Sequence, residues 1–227
     1  MKTLWLRANA AILLVAISIA GCSTASRQTE PVRVIPVLPG EGSLTPAAQA
    51  KADSGRPPYT AADVRFMQGM IPHHSQALVM AGWAPTHAAR PDVLILAQRI
   101  EVAQRDEIEL MARWLRDRRE AVPADTASHH GHAGLDGQML SPGMLTADEL
   151  SQLERATGPE FDRLFLTFMI RHHEGALAMV AQLLASPGAA QDTDVYRFSN
   201  DVNVDQITEI DRMRIMLRSP TPTSSRP

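Results

Sequence analysis

Apolar residues recur along residues 60–116 and 146–218 with the three- and four-residue steps of a helix, and over no long run do Val and Ile alternate with polar residues. In the segment FMQGMIPHHSQALVMA, Phe66 to Ala81, a wheel of about 100° per residue gathers Phe66, Met70, His73, His74 and Ala77 within an arc of about 100°. Met67, Ile71 and Leu78 adjoin that arc on one side and Met80 on the other. The segment FLTFMIRHHEGALAMV, Phe165 to Val180, repeats the arrangement with Phe165, Met169, His172, His173 and Ala176. The paired histidines therefore lie on or beside the face that must be buried, not on the solvated side.

The repeat extends further. QRDEIELMARWLR, Gln104 to Arg116, matches QITEIDRMRIMLR, Gln206 to Arg218, at an offset of 102 positions, against 99 for the histidine segments. Each half is thus one His-containing helix, a loop, and one Gln/Glu/Met-containing helix. Thr60 and Asp63 form a capping box for the first helix, and Asp92 in ARPDV offers an N-cap for the second. Pro159 suits the first turn of the third, and Asp192 or Asp194 caps the fourth after the Pro187–Gly188 break. TADEL, Thr146 to Leu150, opens a short extra helix. Two hairpins, residues 60–120 and 146–218, joined by a connection over 121–145, predict an all-α domain across 59–218, with a four-helix bundle as its architecture.

Composition narrows the surroundings. Aromatics are 4% of the chain and the net charge is −3 with mixed signs, so no basic field exists for nucleic acid. Lys2 and Arg7 precede an apolar stretch from Ala10 to Ala20, too short to span about 30 Å of hydrocarbon. This predicts a signal peptide over residues 1–21. The stretch ends in IAGC, similar to the lipobox of bacterial lipoproteins, and Cys22, the only cysteine, stands at the lipidation position. A lipid-anchored protein exported to the cell envelope follows, held to the membrane by acyl chains. Residues 22–58 and 219–227, rich in Pro, Ser and small residues, read as a disordered tether and tail.

Imidazole and thioether together favour soft or borderline metals, copper above all. Met70 stands three and four residues before His73 and His74, and Met169 likewise before His172 and His173, spacings that let helical side chains converge. Glu107 and Glu209, with Gln104 and Gln206 one turn earlier, can enter from the other two helices, as ligands or by accepting the second ring N–H. A second cluster lies in the connection: His129, His130 and His132, with Met139 and Met144. The competing reading is that the histidines are hydrogen-bonded core residues of a structural or partner-binding bundle, inherited twice. Adjacent buried imidazoles are costly without a role, since each ring needs partners. A di-iron site would place a carboxylate three residues from histidine, yet Gln76 and Gly175 occupy those positions. No nucleophile motif, phosphate loop or dinucleotide fingerprint occurs, which argues for binding over catalysis. A metal-dependent redox enzyme is the third reading.

The segments LERATGPEFDRLFLTFMIRHHEGALAMV, Leu153 to Val180, and ADVRFMQGMIPHHSQALVMA, Ala62 to Ala81, resemble the two signatures of the bacterial domain-of-unknown-function 305 family. The resemblance covers about Tyr59 to Leu217. It implies a ferritin-like four-helix bundle built from two duplicated helical hairpins, often exported. Some members, the CopM-like proteins, bind copper outside the cytoplasm, so a copper ion, Cu(I) or Cu(II), is the expected cofactor. Carried across, it implicates Met70, His73, His74, Met80, Met169, His172, His173 and Met179 in metal binding. The halves are not equivalent: Pro72 stands opposite Arg171, and Ser75-Gln76 opposite Glu174-Gly175.

Overall fold

The computed structural model describes residues 54–55, 58–123 and 141–219, all within the compact unit Pro46–Pro227. The signal peptide, Cys22, nearly all of the tether and tail, and His129, His130, His132 and Met139 lie outside the described residues. The helices are α1 (Ala61–Gly82), α2 (Ala84–His87), α3 (Pro91–Asp117), α4 (Ala147–Arg155), α5 (Gly158–Leu184) and α6 (Thr193–Arg218). Among the described residues there is no strand, only an isolated bridge between Ala88 and Gly158. The protein is an all-α bundle of four long helices, α1, α3, α5 and α6, with α2 and α4 in the connections.

Most helix starts follow the sequence. Thr60 caps α1 reciprocally with Asp63, and Thr146 caps α4 with Glu149. Pro159 occupies the first turn of α5. Asp192 rather than Asp194 caps α6, its Oδ1 accepting from the amides of Asp194 and Val195 at 3.0 and 3.2 Å. Asp92 does not cap α3. That helix begins at Pro91, whose fixed φ and missing N–H suit the first position, with Arg90 as a cap that makes no side-chain bond. Asp92 instead holds the Arg90 guanidinium, at 2.7 Å from Nη2. Pro72 lies inside α1, which runs through it without interruption.

Two duplicated aspartates latch the hairpins crosswise. Asp63 on α1 accepts the Ala190 amide at 2.7 Å, in the loop of the second hairpin. Asp162 on α5, its counterpart 99 positions on, accepts the Ala89 and Arg90 amides at 3.2 and 3.1 Å, in the loop of the first. Each hairpin thereby satisfies turn amides of the other, and at Ala190 and Arg90 burial would otherwise leave them unpaired.

The core is two apolar clusters. One gathers Ala77 and Met80 of α1, Leu96 and Ile100 of α3, Phe165 and Met169 of α5, and Ile210 and Met213 of α6. The other gathers Phe66 and Met70 of α1, Met111 and Leu115 of α3, Ala176 and Met179 of α5, and Phe198 and Val202 of α6. On every long helix the buried residues between the clusters are polar: His73 and His74, Gln104, His172 and His173, and Gln206. A polar layer therefore crosses the waist of the bundle, sealed above and below by hydrocarbon and thioether.

Candidate metal centre

All four histidines of the layer are fully buried. The inner pair, His73 and His172, face each other across the α1–α5 contact with ring centroids 3.9 Å apart and planes inclined at 36°. The outer pair stand 6.3 Å from their neighbours, His74 from His73 and His173 from His172. The structure thus brings the two His-His motifs together at one level of the bundle.

Each outer histidine has an acidic partner on the adjacent helix. His74 Nε2 lies 2.8 Å from Glu107 Oε2, and His173 Nε2 lies 2.7 Å from Glu209 Oε2. A carboxylate accepts, so Nε2 carries the proton, and in the neutral ring Nδ1 keeps its lone pair. Glu107 and Glu209 thus each accept a ring N–H in this structure. His73 Nε2 lies 3.0 Å from the Pro142 carbonyl, which also only accepts. Among the described residues, the Nδ1 atoms of His73, His74 and His173 and both nitrogens of His172 are buried without a hydrogen-bond partner. Gln104 Oε1 and Gln206 Oε1 are buried and unpartnered in the same layer. Leaving such a group unsatisfied costs about 1–3 kcal/mol, so this concentration points to a ligand-binding role.

Burial sets the charge of the inner pair. His73 is pushed down from 6.5 to about 3, chiefly by burial and secondarily by its neighbour His74, against the opposing pull of the Pro142 carbonyl. His172 falls well below its ordinary value, by burial first and then by the charges of His73, His173 and His74. The His73 carbonyl favours protonated His172 weakly, yet neither ring nitrogen meets it in hydrogen-bonding geometry. Both inner rings are therefore neutral near pH 7, the form a metal requires. On α6, Asp205 is raised by burial and then by Glu107, Glu209 and Asp201, which marks an acidic edge beside the layer.

The methionines flank this centre. Met70, Met111 and Met179 belong to one apolar cluster, and Met80, Met169 and Met213 to the other. Met111 and Met213, core members of the second repeat, are the symmetric additions that the histidine motifs alone do not single out. Met144 is half-buried just before α4. Among the described residues, no three His, Cys, Asp or Glu side chains converge as a ready ligand cage. The two inner rings pack on each other, so they must part to share an ion. The donor set nonetheless fits copper: neutral inner imidazoles, unpartnered ring nitrogens on all four histidines, and thioethers in the clusters on both sides.

The fold is similar to those of several solved structures. A DUF305 fragment from Deinococcus radiodurans is 29% identical with a TM-score of 0.58, over 71% of this chain and 98% of that one. A candidate secreted DUF305 protein from Streptomyces coelicolor is 25% identical, TM-score 0.57, over 69% and 91%. CopM in its Cu(II)-bound form is 29% identical, TM-score 0.54, over 69% and 95%, and a Cu(I)-bound form of CopM matches similarly. A 57-residue stretch is 37% identical to an uncharacterized protein of Acanthamoeba polyphaga mimivirus, but it spans only 38% of that protein. The profile of the domain of unknown function DUF305 matches residues 63–217, and the chain belongs to that family.

Proposed function

We propose that this protein binds copper at the waist of its bundle and sequesters or passes it in the cell envelope. The observation that carries the reading is the set of five buried ring nitrogens without partners, gathered from both halves between two methionine-bearing clusters. The copper-bound structures of CopM, a protein of similar fold, support it. In this reading His73, His74, His172 and His173 supply imidazole, and Met70, Met80, Met169 and Met179 supply thioether. Glu107 and Glu209 orient the outer rings, while the apolar clusters exclude water. Bound copper would add a Lewis acid able to hold either oxidation state in mixed His/Met surroundings. Gln104 and Gln206 complete the polar shell. Export and a lipid anchor at Cys22 are part of the proposal, supported by the IAGC stretch and by the Streptomyces relative. The connection histidines His129, His130 and His132, with Met139 and Met144, are proposed as a further copper-binding stretch.

Metal titration of the His73→Ala/His172→Ala double variant tests the reading. Stoichiometry and affinity for Cu(I) and Cu(II) should both fall, and unchanged binding would overturn it. Elemental analysis of the protein purified from its native envelope should find copper.

A further inference from the structure

The two halves match closely around the histidines, yet two of the places where they differ meet one short segment, Pro142 to Glu149. Gln76, which stands where the second half has Gly175, grips that segment with its side-chain amide. Its Nε2 donates to the Leu145 carbonyl at 3.0 Å and its Oε1 accepts the Leu145 amide at 2.7 Å. Gly175 makes room for the same strap: a Cβ there would collide with the Pro142 carbonyl and lie 2.8 Å from Gly143 Cα. Gly143 returns the fit, with φ at +77° and no space for a side chain against the Arg171 carbonyl. Arg171, opposite Pro72 in the repeat, closes the strap's far end by a bidentate pair to Glu149 at 2.6 and 2.8 Å. These two departures from symmetry thus serve one object.

That object is the acceptor of His73. The strap presents the Pro142 carbonyl 3.0 Å from His73 Nε2, whereas His172, the equivalent residue, has no acceptor on either nitrogen among the described residues. We propose that Gln76 and Gly175 are positioning residues which, through the strap, lock His73 as the Nε2–H tautomer and leave His172 as the inner imidazole free to offer either nitrogen to an incoming soft metal ion. This rests on the copper-binding reading, but its first consequence concerns the metal-free protein. His73, His74 and His173 each offer Nδ1 alone. His172 alone is tied at neither nitrogen and so can turn or change tautomer to meet an ion, which makes it the entry ligand, and the strap keeps the His73 lone pair available to complete the site.

Long-range proton–nitrogen NMR of the uniformly 15N-labelled, metal-free full chain reads each tautomer directly. The wild type should show His73 fixed as Nε2–H and His172 as a mixture. Gln76→Leu and Gly175→Ala should each expose the Leu145 amide to exchange and release the His73 preference, with the His173 signal unchanged. Gln76→Leu is close in volume and keeps the test alive if Gly175→Ala does not fold. Copper Kd should weaken about 10–100-fold in the variants, the usual effect of removing an outer-shell partner. The proposal fails if His73 keeps its Nε2–H form while the strap is free, or if His172 is as fixed as His73 in the wild type. Absence of copper binding in the wild type would overturn the functional reading but not the tautomer result.

Discussion

At His172 a fully buried imidazole has no hydrogen-bond partner among the described residues, and its burial holds it neutral. Such a ring contributes little to the folded state beyond its volume. His172→Leu should therefore raise the stability of the metal-free protein by about 1–3 kcal/mol, the cost of the unsatisfied groups it removes. Thermal melting should register this as a rise of several degrees, and added copper should then lose most of its stabilising effect. A fall in the metal-free melting temperature would show that the ring is satisfied in some other way. His74 and His173 contrast with it: each is tied to a glutamate that is only partly exposed, so truncating them strands an acid. Stability and binding thus separate at one residue of the four.

The four long helices are legible from the 3.6-residue period, and the wheel places the histidine pairs on or beside the buried face, but which faces meet is not written locally. Capping was mostly legible too, because Thr60, Thr146 and Asp192 act on amides two or three residues away. Asp92 was misread because Pro91 already supplies a helix start, and because the amides before it are met by Asp162, over 70 residues distant. The repeat placed Glu107 and Glu209 as equivalent residues but left open whether they meet a metal or a ring N–H. The strap did not: Gln76 to Leu145 spans 69 positions, and nothing local distinguishes a gripping glutamine from a solvated one. Helix α2, four residues long after Trp83, is likewise below what periodicity can show. At this scale the crosswise latches are the testable feature. Asp63→Ala and Asp162→Ala should each cost about 1–3 kcal/mol by leaving loop amides unpaired. Hydrogen exchange should localise the Asp63→Ala effect to Ala190, in the opposite hairpin, and an effect confined to α1 would contradict the latch.

For the molecule as a whole, the inner histidines couple folding to pH. His73 titrates near 6.5 when unfolded and at about 3 when folded, and His172 is displaced the same way. Below pH 6.5 the unfolded chain takes up protons that the folded chain refuses, so stability is full above about 6.5 and declines as pH falls toward 3. Glu149, lowered to about 2 mainly by Arg171, adds a loss between about 4.5 and 2. Denaturant midpoints of metal-free protein at pH 7.5, 5.5 and 4 should fall in that order, and a flat profile above pH 5 would refute the first step. The reciprocal latches carry a last consequence. Because each hairpin satisfies loop amides of the other with an aspartate, and the strap begins only at Pro142, these contacts do not depend on continuity of the chain between residues 123 and 141. A chain cut within residues 124–140 should keep its two pieces together through size-exclusion chromatography, as a heterodimer with the helix content of the intact protein. Such a heterodimer would be two hairpins that complete one another through their loops.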